Sequence, residues 1–168
     1  MTWENPTMAG DSDLLTLRRM VFGAAVLVIV QSAIGMVVNL YVNIPPHHSG
    51  AHPANFFTGS FHSLVWAIGH GTFAFVVHAV LGLALVIMAI IIAVRAISLR
   101  RRSLTIWSIL AALFIIGAGF NGVSFLDFNL NVNSLIMALL ALSSVLCYLA
   151  MMYLLPVRQA EVHDENGL

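Results

Sequence analysis

Four long apolar runs constrain this chain more than any other feature of its sequence. They cover residues 20–42, 71–94, 104–123 and 133–155, and none has Asp, Glu, Lys, Arg or Pro in its interior. Each is about 20 residues or longer, enough to cross a hydrocarbon layer ~30 Å thick as a helix. Because lipid offers the backbone no hydrogen-bond partners, helix is the only structure that suits such runs. We therefore predict an all-α integral membrane four-helix bundle, a single domain over residues 1–168.

The scarcity of charge supports this prediction. Only 8% of the residues are charged and 60% are hydrophobic, whereas about a quarter of a soluble domain is charged. The first predicted partner is therefore the lipid bilayer, and a net charge of zero gives no indication of nucleic-acid binding. The chain has no lysine, which excludes Schiff-base chemistry. It shows no hydrolase triad, phosphate loop or carboxylate pair, so it resembles an electron-transfer or accessory protein more than a stand-alone enzyme.

The arginines predict the orientation. They precede the first run, separate the second from the third, and follow the fourth: Arg18, Arg19, Arg95, Arg100, Arg101, Arg102 and Arg158. Because cytoplasmic loops carry the excess of basic residues, both termini and the loop between runs two and three should be cytoplasmic. We predict a multi-pass protein of the cell membrane. The alternative, a cleaved secretory signal at the first run, is disfavoured by the length of the run and by the lack of a small-x-small cleavage site.

The loop between runs one and two is long, and its middle part has helical spacing. Its apolar stripe consists of Phe57, Phe61, Leu64, Val65 and Ile68. His62 and Ser63 lie off that stripe, and Pro53 breaks the chain before it. We predict a short interfacial helix over residues 55–68, lying on the bundle with Trp66 at the level of the lipid headgroups.

Histidines are concentrated at the predicted outer side of the protein. Six of the seven lie there: His47, His48, His52, His62, His70 and His78. Three of them fall within residues 47–52, where imidazoles could converge on one copper or zinc ion, and His62 completes this candidate metal set. The alternative interpretation is a solvated polar loop.

His78 is the principal candidate within the membrane. It lies ~10 Å below the outer end of its run at 1.5 Å per residue, and ionisable residues at such depth are usually functional. One stripe of four-residue spacing consists of His70, Ala74, His78 and Gly82. Its small members leave room for a flat macrocycle beside the His78 ring. The alternative is an interhelical hydrogen bond from His78 to Gln31 or Asn39.

Depth along the helices suggests further ligands. Met36 and Met137 are predicted at a level similar to His78, and a methionine can complete the coordination of a haem iron. The alternative for each is ordinary packing, since methionine often fills helix bundles. His70 is another candidate, but eight residues separate it from His78 by ~12 Å of helix. It would serve a second metal, a haem propionate or a partner subunit.

Two short motifs carry a resemblance. Gln31-x3-Gly35 and His78-Ala-Val-Leu-Gly82 resemble one half of haem A synthase, and the layout of the spans is similar to small four-helix cytochrome-b-like membrane proteins. The resemblance implies a b-type haem held by His78. The partner histidine that the family carries at the start of the fourth helix is replaced by Asn133-Ser134, so the resemblance does not extend to haem A synthesis.

Two functional hypotheses follow. The first is a haem-binding protein for electron transfer or redox sensing near the outer leaflet, exchanging electrons between a quinol and an extracytoplasmic partner. The second is a non-redox subunit that handles metal, assists assembly or supports a membrane complex. In either case we expect a homo-oligomer or a subunit of a complex, and bound haem distinguishes the two.

Overall fold

A computed structural model describes residues 6–155, with side chains from Ser12 onward. This part of the chain forms the helices α1 (Pro6–Tyr41), α2 (Phe56–His70), α3 (Phe73–Ser98), α4 (Arg102–Phe128) and α5 (Asn131–Leu154), and it has no strand. All except α2 are long and apolar enough to cross a membrane. The predicted all-α class with four candidate spans is therefore confirmed, and the chain is a multi-pass membrane protein.

The helices extend beyond the apolar runs. The first run begins at Met20, but α1 begins at Pro6 and is 36 residues long. At 1.5 Å per residue this is ~54 Å, well above the ~30 Å of the hydrocarbon layer. α1 is therefore longer than a single crossing requires, and its first residues precede the apolar run.

The four long helices form a ring of antiparallel neighbours. α1 contacts α3 and α5, and α4 contacts the same two helices from the opposite side. α2 packs on α3 and α4 at one end of the bundle, which we call the capped end. The other end, which carries Arg18, Arg95 and residues 100–102, we call the arginine end.

The capping helix α2 agrees with the predicted interfacial helix to within a turn. Asn55 caps it, since its side-chain oxygen accepts a hydrogen bond from the Thr58 backbone N at 3.2 Å. The side chains that it buries against the bundle are small, namely Gly59, Ser63 and Ala67. Its apolar stripe faces away, with Phe57 72% exposed. An outward apolar face is typical of a helix lying in a membrane interface.

The buried core is divided into two parts. A large cluster lies toward the arginine end, and a smaller one at the capped end consists of Val38, Ile44, Ala67, Phe75 and Leu126. Between them no residue is fully buried in any of the four long helices, over 29–37, 76–84, 116–125 and 131–143. We call these segments the loosely packed layer. The first three segments, of nine or ten residues, span ~15 Å, and the fourth, of 13 residues, spans ~20 Å. The layer is therefore about half to two-thirds as tall as the hydrocarbon region.

Candidate functional site in the loosely packed layer

His78 lies in this layer with its ring against the backbone of α1. A Cβ atom on Gly35 would lie 2.7 Å from His78 Cε1 and 3.3 Å from Nδ1. No real Cβ tolerates the shorter distance, so only glycine at position 35 permits the observed ring position. The Gln31-x3-Gly35 motif therefore has a steric role, which is to admit the imidazole between α1 and α3.

Gln31 joins α1 to α3 at the same level. Its Nε2 donates a hydrogen bond to the backbone carbonyl oxygen of His78 at 2.8 Å. A Cβ on Gly82 would lie 3.1 Å from this Nε2 atom, so Gly82 gives the amide its space. The predicted pairing of Gln31 with His78 thus occurs through the backbone and leaves the imidazole nitrogens unused.

Two buried polar atoms in this pair have no hydrogen-bond partner among the described residues. They are His78 Nδ1 and Gln31 Oε1. A polar atom buried without a partner costs about 1–3 kcal/mol. Both of these atoms belong to side chains at the contact between α1 and α3. Two buried atoms without described hydrogen-bond partners therefore lie at the same level of the layer.

The prediction that His70, Ala74, His78 and Gly82 lie along one face of a single helix is wrong for His70. His70 is the last residue of α2, and the chain is extended at Gly71 (φ −69°, ψ 160°) and Thr72 (φ −63°, ψ 158°) before α3 begins. Ala74, His78 and Gly82 remain on one helix. His70 is exposed at the capped end and does not share their face.

The two candidate methionines differ in position. Met137 is half-buried in the layer, where its Sδ atom lies 3.2 Å from the place of a Cβ on Gly122 of α4. Met36 is 65% exposed, which directs it away from the bundle interior. Both methionines belong to the layer that holds His78, but only the Met137 side chain is partly buried in the bundle.

The outer histidines are dispersed. Each ring nitrogen of His48 lies near a carbonyl oxygen, Nδ1 3.0 Å from Ser49 and Nε2 3.1 Å from Leu126, and the ring stacks on Trp66 with centroids 4.4 Å apart. The side chains of His47, His52 and His62 are exposed. Among the residues whose side chains are described, no three His, Cys, Asp or Glu groups come close enough to hold a metal ion. His48 instead attaches its loop to the end of α4.

Asp127 is a buried polar centre whose role the sequence did not reveal. It is 1% exposed, and its Oδ2 accepts a hydrogen bond from Ser60 Oγ of α2 at 3.2 Å. Its backbone oxygen accepts another from the His52 backbone N at 3.0 Å. The one signal available was that Asp127 is the only acid predicted on the outer side. These contacts join α2 and the preceding loop to α4.

Comparison of the chain with protein-family models, with curated proteins and with solved structures finds no match. The fold itself defines the class that can be stated, which is a multi-pass membrane protein built as a four-helix bundle with a short capping helix.

Proposed function

We propose that the protein binds a b-type haem in the loosely packed layer, where His78 would hold the iron. Its function would be electron transfer or haem-dependent redox sensing near the outer leaflet. The observation that carries the proposal is the Nδ1 atom of His78, which is buried and has no hydrogen-bond partner among the described residues. It lies in the layer in which none of the four long helices has a fully buried residue.

The residues present fit a haem in their donor chemistry. A neutral imidazole nitrogen is a common axial ligand of haem iron, and a methionine can be the second. Helix bundles build such sites in their interior, from side chains on facing helices. Here His78 and Met137 come from α3 and α5.

The bound haem would supply a redox centre that takes up or releases one electron. The chain's own residues would determine its position. His78 would hold the iron, while Gln31 fixes the backbone of α3 through its bond to the His78 carbonyl oxygen. The large buried cluster toward the arginine end would exclude water from that side of the layer.

Metal handling at the outer histidines receives less support. Both ring nitrogens of His48 already face carbonyl oxygens, and the other candidate side chains are exposed. Among the described residues they do not form a group of three metal-binding side chains. The alternative to the haem proposal is a non-redox role in a membrane complex, with copper, zinc or no cofactor. The following experiment distinguishes the two.

A reduced-minus-oxidised visible spectrum of the protein, purified in mild detergent from haem-replete cells, tests the proposal. We expect a Soret band with sharp α and β bands, at a ratio near one haem per chain. A colourless protein would contradict the haem proposal and favour the non-redox subunit.

A further inference from the structure

A groove at the arginine end lies outside the site discussed above. It has a volume of about 340 Å³ and is lined by Leu15, Arg18, Arg19, Phe22 and Met152. These residues belong to the first turns of the membrane-spanning part of α1 and to the last turn of α5. We call it the arginine groove.

Arg18 is held in place by the end of α5. Its Nη1 donates hydrogen bonds to the carbonyl oxygens of Leu155 at 2.6 Å and Met152 at 3.2 Å. The last carbonyl groups of a helix have no partner within the helix, so this side chain satisfies them. A guanidinium is thereby fixed at the edge of the membrane, with its other nitrogens available to a ligand.

Among the residues whose side chains are described, arginines outnumber acidic residues at this end. Arg19 is exposed and makes no described ion pair, and the only acids among the described side chains are Asp13 and Asp127. Asp127 is buried at the capped end, so among these side chains only Asp13 lies on the same side of the bundle as the arginines. The guanidinium groups of Arg18 and Arg19 at the groove would attract an anion.

The wall of the groove is apolar. Leu15 and Met152 are half-buried, and Phe22, one turn deeper in the membrane than Arg18, is 56% exposed. A free anion would contact the two guanidinium groups but would leave this wall uncovered. A ligand with an anionic head and a hydrocarbon chain matches both parts of the groove.

We propose that the arginine groove binds one anionic phospholipid from the leaflet at the arginine end. The phosphate would accept charge-assisted hydrogen bonds from Arg18 and Arg19, and an acyl chain would cover Phe22. Basic pockets between membrane helices on the cytoplasmic side are a known form of lipid site, and guanidinium groups suit phosphate. This proposal is independent of haem binding.

Native mass spectrometry of the full-length protein with defined lipids tests it. We expect one phosphatidylglycerol to remain bound in preference to phosphatidylcholine with the same chains. Arg19→Gln should weaken that binding roughly tenfold, as expected for the loss of a hydrogen bond between charged groups. Phe22→Ala should also weaken it. Since Arg18 also holds the end of α5, Arg19 and Phe22 are the better positions to vary.

Matched controls separate a site from general surface charge. Arg102→Gln removes a charge at the arginine end, and Ile29→Ala removes an exposed apolar side chain from α1. Both positions lie outside the groove. Both variants should bind phosphatidylglycerol as the wild type does. Three results would overturn the proposal. The two lipids could be retained equally, Arg102→Gln could weaken phosphatidylglycerol binding as much as Arg19→Gln does, or millimolar inorganic phosphate could displace the lipid.

Discussion

Glycine 35 determines where the His78 ring lies. The Cε1 edge of the ring occupies the space that any other residue at position 35 would need. Gly23, three turns earlier in α1, has nothing within 4 Å of its Cβ position. An added Cβ would therefore meet the His78 ring at position 35 and nothing at position 23. The two glycines form a matched pair for experiment.

Gly35→Ala should displace the His78 ring, because the added Cβ would lie 2.7 Å from Cε1. We expect a lower haem-to-protein ratio and a lower Tm than in the wild type, measured by absorbance and by thermal unfolding in detergent. Gly23→Ala should keep the haem ratio and leave Tm unchanged or higher, since alanine favours helix. The same haem ratio in both variants would contradict the steric role of Gly35.

The ring nitrogens of His48 lie 3.0 Å and 3.1 Å from two carbonyl oxygens, and the ring stacks on Trp66. A neutral imidazole has one N–H, so it donates a hydrogen bond to one of these oxygens in each tautomer. His48→Phe keeps an aromatic ring on Trp66 but removes the hydrogen bond from the imidazole to a carbonyl oxygen, worth about 0.5–1.5 kcal/mol. We expect amide hydrogen exchange in residues 47–53 to become about tenfold faster, since ~1.4 kcal/mol corresponds to that factor. His47→Phe, at an exposed neighbour, should leave exchange unchanged. Similar exchange in both variants would show that His48 does not hold the loop.

At the scale of elements, the sequence predicted which segments are helical better than it predicted their contacts. The apolar runs indicated the four spans, because lipid permits little except helix. They did not indicate the inward faces, because lipid is as apolar as the core and hydrophobicity does not distinguish the two. In α2, for example, the apolar stripe faces outward, and the small residues Gly59, Ser63 and Ala67 are the ones buried against the bundle.

The site was predicted in part. The sequence offered a hydrogen bond between His78 and Gln31 as the alternative to a ligand role, and the structure forms one between the Gln31 side chain and the His78 backbone oxygen. The His70 stripe failed because Gly71 and Thr72 end one helix before the next begins, with no proline to mark the break. The buried position of Asp127 depends on contacts distant in sequence, which no local pattern encodes.

Docking of α2 should depend on Gly59. A Cβ there would lie 2.1 Å from Pro53 Cβ, which belongs to a ring that cannot turn aside. Gly59→Ala should therefore separate the loop from α2 and lower Tm, and limited proteolysis of the purified protein should cut within residues 43–55. Gly69→Ala lies in the same helix with nothing within 4 Å and should resist cleavage as the wild type does. Resistance in Gly59→Ala would contradict this packing.

For the whole molecule, the two-part core is the main architectural feature. One cluster holds the four helices together toward the arginine end, a small cluster joins α2 at the capped end, and the loosely packed layer separates them. If the arginine end is cytoplasmic, as the positive-inside rule predicts, the layer lies in the outer half of the membrane.

Cysteine labelling tests that orientation. The native Cys147 is 3% exposed and should not react with a membrane-impermeant maleimide. Asn131→Cys, at the exposed start of α5, should be labelled on intact cells. Ser103→Cys, at the exposed start of α4, should be labelled only after the membrane is permeabilised. The reverse pattern would place the capped end in the cytoplasm.

Haem content in a pair of histidine variants tests the central claim most directly. His78 is half-buried in the loosely packed layer, and His70 is exposed at the end of α2. Both His78→Ala and His70→Ala would be purified in mild detergent and compared with the wild type by pyridine haemochrome assay and by elution profile. We predict that His78→Ala loses its haem while eluting as a folded protein, and that His70→Ala retains haem with unchanged α and β bands. Full haem content in His78→Ala would contradict the assignment of His78 as the axial ligand.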